Sequence, residues 1–461
     1  MQKVDYLVVG SGPAGQRAAI QAAKLGKKVV LVERRSHVGG VTVHTGTIPS
    51  KTLREAILYL TGWRQREIYG HDYRVKESIT VDDLAQRLQF TIRHEIDVIS
   101  DQFHRNGVTV ITGEASFADA HIMNVVTRDG ETTQFSADRF FLATGTAPRR
   151  PGYIPFNNTN IIDSDGLLRL KSIPRSIIVY GAGVIGVEYA SMFKALEIDV
   201  TLVNEHDYML SFIDRDVMDE FSHLLRENGM RMMLGEKIEN INHTDSGKVE
   251  VHFASGRSVI ADVFLFTAGR TGCTATLKLE NAGLQATKRH QLAVNENYQT
   301  DVPHIYAAGD LIGFPSLAST SMEQGRIAAC HAFNKSCNGT PQAFPYGIYS
   351  IPEISMIGKT EQDLIKDGVA FESGIARFRE TARGQIIGLG EGLLKILVDI
   401  NDHHILGIHI VGEGATELIH IGQAVMILNG KLEYFVDNVF NYPTLAETYK
   451  IAALDAWNRL R

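Results

Sequence analysis

Apolar runs that end in glycine turns alternate with Ala-rich stretches in the first half of the chain. Residues 6–33, YLVVGSGPAGQRAAIQAAKLGKKVVLVE, are typical of a buried strand, a tight turn, a helix and a second strand. The same order returns in residues 177–204, IIVYGAGVIGVEYASMFKALEIDVTLVN. This internal repeat predicts two strand–helix–strand units, each built into a parallel sheet.

Three further apolar runs end in turns of small residues. Residues 141–151, FLATGTAPRRP, and 264–272, FLFTAGRTG, are predicted strands that each close one of the two sheets. Their turns contain Gly145 and Gly269, which we take as candidate cofactor-binding positions. Residues 304–313, HIYAAGDLIG, place Asp310 at a third strand end, where a carboxylate can accept hydrogen bonds from a cofactor sugar or polyol or can simply start a turn.

The pattern changes after residue 340. Residues 392–412 predict a hairpin of alternating strands that turns at Asn401-Asp402. Residues 415–430 then predict an amphipathic helix that ends at Gly430. This tail has no glycine-rich turn of the earlier kind, and it predicts an α+β interface domain.

The two glycine turns carry the strongest chemical signal. Each has the spacing GxGxxG between an apolar strand and a helix, which is the context of a dinucleotide-binding fingerprint. The first glycine allows a tight turn, the second lets pyrophosphate approach the backbone, and the third lets helix and strand pack closely. The positive end of the helix faces the phosphates. One such match could be an ordinary turn, but two complete units favour two nucleotide sites.

Composition narrows the class of protein. The chain has 461 residues, enough for about three domains at roughly 150 residues each. The net charge of −7 and the absence of an apolar run of about 18 residues argue against nucleic acid and membrane partners. The first residues lead directly into a strand, without the pattern of a signal peptide, and this favours a cytoplasmic protein. Three sparse cysteines fit a reducing compartment; we expect Cys330 and Cys337 to be ordinary helix or loop residues, and we expect no metal site.

Taken together, the two fingerprints, the two small-residue strand ends, the late Gly-Asp and the α+β tail resemble the flavin disulfide reductase family over essentially the whole chain. The resemblance implies a fold of class α/β, with two Rossmann-like three-layer dinucleotide-binding domains and a C-terminal α+β dimerisation domain. It implies a discontinuous FAD-binding domain at 1–150 and 271–340, an NAD(P)-binding domain at 151–270 and an interface domain at 341–461. The expected partners are FAD, NAD(H), NADP(H) and a second copy of the chain.

The resemblance also assigns roles to individual residues. It implies that FAD is held by Gly10, Gly12, Gly15, Glu33 and Asp310. It implies that the nicotinamide nucleotide is held by Gly181, Gly183 and Gly186. Lys51, in TIPSK, matches the lysine beside the flavin N5, and Glu188 matches its partner near the nicotinamide. A buried pair of this kind would keep the lysine charged and favour the anionic reduced flavin; an exposed lysine at a helix start is the alternative.

The departures from the family pattern decide the expected activity. Disulfide reductases carry two cysteines separated by four residues at the positions of Thr42 and Thr47. A threonine hydroxyl cannot become a thiolate or attack a disulfide. The histidine that serves those thiols is replaced by Tyr442, while Glu447 is retained. We therefore expect hydride transfer between NADPH and NAD⁺ by a ping-pong cycle through the flavin N5, without a redox disulfide. Reduction of quinones and a non-catalytic nucleotide-binding protein are the alternatives.

The repeat itself allows one comparison inside the chain. Glu33 follows the first fingerprint at the distance expected of the acid that binds an adenosine ribose. Asn204 stands at the equivalent place in the second unit. A carboxylate there would repel the 2′-phosphate of NADP, whereas a neutral amide can bond a hydroxyl or a phosphate. Asn204 is therefore a candidate for dual nucleotide specificity, or it caps a turn.

Overall fold

A computed structural model describes residues 1–337 and 343–460. The predicted boundary between residues 340 and 341 lies outside the described residues. The strands are β1 (Gln2–Val9), β2 (Val29–Glu33), β3 (Thr109–Thr112), β4 (Glu114–Asp119), β5 (Ile122–Val126), β6 (Thr132–Leu142), β7 (Thr146–Pro148), β8 (Ile161–Asp163), β9 (Ser176–Tyr180), β10 (Asp199–Asn204), β11 (Arg231–Leu234), β12 (Ile238–His243), β13 (Val249–Phe253), β14 (Ser258–Ala261), β15 (Val263–Phe266), β16 (Arg270–Gly272), β17 (Ile305–Ala307), β18 (Tyr346–Ile348), β19 (Ile354–Gly358), β20 (Phe371–Arg377), β21 (Leu393–Asp399) and β22 (Ile405–Val411). The helices are α1 (Pro13–Lys24), α2 (Gly40–His44), α3 (Thr47–Leu60), α4 (Arg66–Tyr69), α5 (Val81–Arg105), α6 (Ser164–Leu167), α7 (Val184–Ala195), α8 (Arg215–Glu227), α9 (Ala318–Ala332), α10 (Glu361–Asp367), α11 (Ala382–Ile387), α12 (Ala415–Ile427), α13 (Glu433–Asp437) and α14 (Glu447–Leu460).

The chain divides into two compact units, each made of separate stretches. The first unit comprises residues 1–53, 85–149 and 269–341, and the second comprises residues 54–84, 150–268 and 342–461. Each unit contains one of the two glycine fingerprints. The mixed α/β architecture confirms the predicted fold class, while the three predicted domain boundaries stay predictions.

The first unit is built on a seven-stranded sheet. Its order is β3-β2-β1-β6-β5-β4, and β17 also pairs with β6. Strands β3, β2, β1, β6 and β17 run parallel, and β4 and β5 complete the sheet in antiparallel fashion. Tyr6 and Val8 face a core shared with α1 and α9, whereas Leu7 and Val9 face a second core under β4 and β5. The strict alternation along β1 therefore yields apolar layers on both faces of the sheet.

The second unit contains a second parallel sheet of order β11-β10-β9-β15-β8, with the antiparallel meander β12-β13-β14 beside it. Aromatic side chains of β9 and β15, among them Tyr180 and Phe266, fill the core between them. Both parallel sheets end their central strands on a glycine turn. The repeat predicted from the sequence is confirmed as a repeat of structure.

The C-terminal part of the second unit is an antiparallel sheet of order β18-β19-β22-β21-β20. The predicted hairpin is confirmed, because β21 and β22 pair around a turn that contains Asn401 and Asp402. The following helix α12 ends at Ile427, three residues before the predicted Gly430. Asn429 adopts the left-handed conformation at φ 53°, and the Gly430 N–H returns to the Val425 carbonyl at 2.7 Å. An asparagine therefore reverses the chain where glycine was expected.

Among the described residues, no helix combines the length and the apolar character that crossing a bilayer requires.

Candidate active site

The first fingerprint forms a turn that only glycine fits at two of its three positions. A Cβ on Gly10, whose φ is 102°, would lie 2.3 Å from the Ala143 carbonyl oxygen, and a Cβ on Gly15 would lie 1.9 Å from the Gly10 carbonyl oxygen. Gly12 differs, because no atom lies within 4 Å of its Cβ position. Gly12 caps α1 without a side-chain hydrogen bond, and Pro13 takes the first helical position. The helix N-terminus thus opens onto space, as an anion-binding turn requires.

Glu33 closes this turn from the end of β2. Its Oε2 accepts a hydrogen bond from the Ser11 N–H at 3.0 Å and another from the Ser11 hydroxyl, and its Oε1 accepts one from the Arg35 N–H at 2.9 Å. A carboxylate offers about four acceptor positions, so Glu33 retains capacity for a ribose hydroxyl. The Ser11 hydroxyl also accepts from the Gly39 N–H at 2.9 Å. Fingerprint, strand end and the loop that follows are therefore one hydrogen-bonded assembly.

The loop GGVTVHTGTIPSK lies directly against the fingerprint. A Cβ on Gly40 would lie 2.8 Å from the Gly12 Cα, so this glycine allows backbone contact between the two segments. Thr42 lies in α2 and is half-buried, and Thr47 begins α3 and is exposed. Lys51 lies in the next turn of α3, where its Nζ donates to the Ser50 hydroxyl at 3.3 Å. The frame of a dithiol site is present, and threonines occupy both sulfur positions.

A third group of residues lies at the ends of β6 and β17. Asp310 accepts a hydrogen bond from the Thr146 hydroxyl at 3.2 Å, and the Arg270 guanidinium donates to the same hydroxyl at 2.7 Å. The backbone of Gly145 has φ 65° and an unobstructed Cβ position, and Gly269, with φ 106°, is equally open. The first unit therefore brings Gly145, Gly269 and Asp310 into hydrogen-bonded or adjoining turns.

Two buried hydroxyls test whether the first unit suits a flavin nucleotide. The Thr45 and Thr144 Oγ1 atoms are buried and have no hydrogen-bond partner among the described residues. One lies in the loop beside the fingerprint and the other precedes Gly145. Buried polar groups without partners are rare in folded proteins unless a ligand or water completes them. Orphaned hydroxyls and open glycines fit a large polar cofactor such as FAD.

The second fingerprint repeats the steric pattern of the first. A Cβ on Gly186 would lie 1.8 Å from the Gly181 carbonyl oxygen, and Gly181 itself has φ 112°. Gly183 caps α7 without a side-chain hydrogen bond and again has open space at its Cβ position. The structure therefore brings Gly181, Gly183 and Gly186 together in a second turn of the same shape.

Asn204 at the end of β10 is committed to its own loop. Its Oδ1 accepts from the Ala182 N–H at 3.1 Å, and its Nδ2 donates to the carbonyl oxygens of Tyr208 at 2.8 Å and His206 at 3.2 Å. These bonds hold residues 204–208 against the fingerprint turn. The exposed rings of His206 and Tyr208 stack with their centroids 5.2 Å apart. The amide thus acts on the loop backbone, which favours the turn-capping alternative over direct contact with a nucleotide.

Glu188 lies on α7, one turn after the second fingerprint, and is 3% exposed. Its Oε1 accepts a hydrogen bond from the Tyr349 N–H at 2.9 Å. On the same helix the Ser191 hydroxyl accepts from the Ile351 N–H at 3.0 Å. The segment after β18 therefore fixes the orientation of the Glu188 carboxylate. The predicted pairing of Lys51 with Glu188 joins residues of different units and stays a prediction.

A buried ion cluster in the second unit was not foreseen. The Lys395 ammonium is fully buried and lies 2.7–2.9 Å from carboxylate oxygens of Asp214, Asp216 and Glu361. Burial opposes the charge, but the hydrogen bonds to these acids raise the pKa of Lys395 above its ordinary value. The three carboxylates are close enough together to hold a metal ion, and the ammonium offsets one of their three negative charges. Because Lys395, Glu361 and the Asp214–Asp216 stretch lie far apart in sequence, no local motif predicts the cluster.

Tyr442 and Glu447 lie in the C-terminal part of the second unit. The Tyr442 side chain is 72% exposed. The Glu447 Oε2 is buried and has no hydrogen-bond partner among the described residues. Within the described chain, therefore, the Tyr442 side chain faces solvent and one oxygen of Glu447 still lacks a hydrogen-bond donor.

Comparison with known proteins places the chain in a family. Residues 4–325 match the pyridine nucleotide-disulphide oxidoreductase family, and residues 344–453 match the dimerisation domain of the same family. The second match supports the predicted homodimer.

Among curated relatives, the soluble pyridine nucleotide transhydrogenase of Mycobacterium bovis is 51% identical over 100% of this chain and 98% of the relative. The enzyme of the same name from Colwellia psychrerythraea is 44% identical over 99% of this chain and 98% of its own.

Among solved structures, LpdA of Mycobacterium tuberculosis superposes with a TM-score of 0.90 at 27% identity, covering 99% of this chain and 100% of that chain. The copper complex of RclA, a flavoprotein disulfide reductase of Escherichia coli, gives a TM-score of 0.89 at 26% identity, covering 98% and 99%. Both the sequence family and the fold agree with the two nucleotide turns, and family membership implies FAD and nicotinamide nucleotides. The chain belongs to the pyridine nucleotide-disulphide oxidoreductase family.

Proposed function

We propose that this protein is a transhydrogenase that moves hydride from NADPH to NAD⁺, with both nucleotides using the second fingerprint in turn. The observation that carries the proposal is the loop GGVTVHTGTIPSK, which keeps the frame of a dithiol site while Thr42 and Thr47 replace the sulfurs. Two relatives whose names state this activity match the chain over nearly their full length. Because this loop has no thiols to receive electrons, a second nicotinamide is the natural acceptor.

FAD, when bound in the first unit, supplies an isoalloxazine that can accept and return two electrons with a proton. The chain supplies binding and orientation. Gly10, Gly12 and Gly15 shape the turn for the pyrophosphate, and Glu33 accepts hydrogen bonds from the ribose. We assign the remaining polar contacts to Asp310 and to the turns of Gly145 and Gly269. The buried hydroxyls of Thr45 and Thr144, which have no partner among the described residues, are further donors for the cofactor.

Lys51 and Glu188 are the proposed catalytic residues. A lysine ammonium near the reacting rings would stabilise negative charge that develops during the transfer. Glu188, whose orientation the Tyr349 N–H fixes, would position the nicotinamide. No thiol must be protonated, so Tyr442 has no assigned role as an acid or base. The chain therefore works by orientation and charge.

Acceptance of both nucleotides follows from the end of β10. A carboxylate at position 204 would repel the 2′-phosphate of NADPH, and the amide of Asn204 does not. Because this amide bonds the loop backbone, we assign it the task of holding residues 204–208 in place. Direct recognition of the phosphate then belongs to other groups of that loop, where His206 is the possible cation.

The decisive experiment mixes the purified yellow protein with NADPH in the absence of oxygen and then adds NAD⁺. We expect the yellow absorbance to fade on the first addition and to return on the second, with NADH formed in equal amount. Absorbance that stays unchanged with NADPH would indicate a non-catalytic nucleotide-binding protein. Faster turnover with a quinone than with an NAD⁺ analogue would favour a quinone reductase.

Disulfide substrates provide the matching negative test. Lipoamide and oxidised glutathione should both fail as acceptors under conditions in which an NAD⁺ analogue is reduced. Robust turnover of either would contradict the role given to Thr42 and Thr47.

The relatives carry the word soluble in their names, and this supports a cytoplasmic location for the present chain. Cell fractionation with an antibody against the protein would test the location. We also infer the domain limits 1–150 with 271–340, 151–270 and 341–461. Separate expression of residues 151–270 would test the middle limit.

A further inference from the structure

The end of α9 reverses the chain in a Schellman motif. The Lys335 N–H donates to the Cys330 carbonyl at 2.8 Å, and the Asn334 N–H donates to the His331 carbonyl at 3.1 Å. Asn334 adopts the left-handed conformation that this motif needs, with φ 55°. The residues that follow therefore turn back alongside the last turn of the helix.

This reversal brings two thiols together. Cys330 lies in the last turn of α9 and is 4% exposed. Cys337 is half-buried and packs against the apolar core that α9 shares with Tyr6. The two thiols are neighbours, and burial together with the neighbouring Cys337 raises the pKa of the Cys330 thiol. All three cysteines of the chain are free thiols in this structure.

The surroundings give the two sulfurs different accessibility. Cys337 is the more exposed, so a small oxidant reaches it first. The Arg326 guanidinium, held by Glu323 one turn earlier on α9, acts electrostatically on both sulfurs. The buried Cys330 then lies ready as the second thiol.

We propose that Cys330 and Cys337, in and just after the last turn of α9, form a dithiol that hydrogen peroxide converts to an intramolecular disulfide. Peroxide transfers one oxygen to the Cys337 sulfur, giving a sulfenic acid and one water. The Cys330 sulfur attacks the Cys337 sulfur, the S–S bond forms, and the hydroxyl leaves with the Cys330 proton as a second water. The two sulfurs lose two electrons in total, and peroxide gains them.

The disulfide would tie the C-terminal end of α9 to the segment after it. Helix α9 packs on α1 at backbone distance, since a Cβ on Gly325 would lie 2.1 Å from the Ala14 carbonyl oxygen. α1 is the helix of the first fingerprint. Oxidation therefore stiffens the support of the first nucleotide turn, and we expect the melting temperature of the oxidised protein to rise.

The sequence provides a sharp test, because trypsin cuts after Arg326 and after Lys335 and so separates the two cysteines. The full-length protein is treated with hydrogen peroxide, its remaining thiols are alkylated in denaturant, and it is digested without reductant. We expect a disulfide-linked pair of peptides, one carrying Cys330 and the other Cys337, that dithiothreitol separates. Cys273, half-buried elsewhere in the first unit, should be recovered alkylated.

Variants complete the test. Cys337→Ser and Cys330→Ala should abolish the linked peptides, and Cys273→Ser, the matched control, should leave them unchanged. The proposal is overturned if peroxide leaves all three thiols alkylatable, if Cys337 advances to sulfinic acid while Cys330 stays reduced, or if a non-reducing gel shows that the disulfide joins two subunits. The readout is a mass and does not depend on hydride transfer, so it separates this proposal from the proposed function.

Discussion

The two glycine turns share one backbone design and differ in the side chain that closes it. In both, a Cβ added to the third glycine would lie within 2 Å of the carbonyl oxygen of the first glycine, and the middle glycine faces open space. In both, the residue at the end of the next strand accepts a hydrogen bond from the N–H after the first glycine. That residue is the carboxylate of Glu33 in one unit and the amide of Asn204 in the other.

The difference shows which part of a nucleotide site can vary. The first and third glycines are required by backbone sterics and cannot be replaced without moving the turn, whereas the middle glycine leaves open space. The strand-end residue needs only an acceptor for one N–H, so its charge is free to suit the ligand. On the proposed function, the ribose of the flavin nucleotide would tolerate the carboxylate of Glu33, whereas a carboxylate at position 204 would repel the 2′-phosphate of NADPH.

The largest expected effect comes from adding a Cβ at the most crowded glycine of each turn, in separate variants. Gly186→Ala places a Cβ where the Gly181 carbonyl lies and should shift the turn. We expect kcat/KM for NADPH to fall by about 100-fold or more, with FAD retained. Gly15→Ala is the matched variant and should instead lose FAD. Steady-state kinetics and the flavin content per chain measure the two; wild-type kcat/KM in Gly186→Ala would contradict the assignment of the second turn.

A milder pair probes the open positions. A Cβ at Gly183 meets nothing within 4 Å, so Gly183→Ala should change the free energy of unfolding by less than about 0.5 kcal/mol. The methyl group would occupy space meant for pyrophosphate, and KM should rise about tenfold for NADPH and NADH alike, a cost of about 1.4 kcal/mol. Gly12→Ala should do the same to FAD affinity. A large loss of stability without ligand would show that the open space is not a ligand site.

Two substitutions of Asn204 distinguish holding the loop in place from direct recognition of the 2′-phosphate. Asn204→Ala removes three loop hydrogen bonds and should raise KM for NADPH and NADH by similar factors, about five- to tenfold at roughly 1 kcal/mol. Asn204→Glu adds a charge and should weaken NADPH more than NADH. Loss confined to NADPH in the alanine variant would mean that the amide reads the 2′-phosphate directly. Equal kinetics for both donors in Asn204→Glu would remove this account of dual specificity.

The smallest effect concerns a carboxyl group of the second unit. Burial and the charges of Glu67, Glu227 and Glu220 raise the pKa of Glu391 to about 7 from its ordinary 4.5. Because the Glu391 carboxyl binds its proton more tightly in the folded chain than in the unfolded chain, proton binding stabilises the fold. This contribution to the free energy of unfolding is fully present below pH 4.5 and is lost as the pH rises through about 7. Glu391→Gln should therefore stabilise the protein by about 1 kcal/mol at pH 8, after allowance for its partial exposure, and by little at pH 5. Urea unfolding at the two pH values measures this; an equal effect at both would contradict the shift.

Local signals carried most of the fold. The repeat of strand, glycine turn and helix could be predicted because hydrophobic periodicity and glycine sterics act over a few residues. The end of α12 was predicted wrongly. Asparagine as well as glycine can take the left-handed conformation that ends a helix, and here Asn429 takes it, one residue before Gly430. Local pattern alone does not separate the two readings.

The site was predictable to the extent that it is local. The glycines, Glu33 and the loop that ends at Lys51 stand in continuous motifs. The hydrogen bonds of Asn204 to residues 206 and 208, and those of Glu188 to the segment after β18, depend on loop conformation or on distant contacts. The cluster around Lys395 draws on three separate elements, β21, α8 and α10. The proximity of Cys330 to Cys337 depends on a chain reversal after α9. The spacing of residues along the chain does not predict these contacts.

Lys395 places a covalent counter-ion among three converging carboxylates, 2.7–2.9 Å from an oxygen of each. This ammonium offsets one of the three negative charges. Because it is part of β21, dilution of salt cannot remove it. The start of α8, where Asp214 caps the helix, therefore keeps a positive charge beside it at every salt concentration.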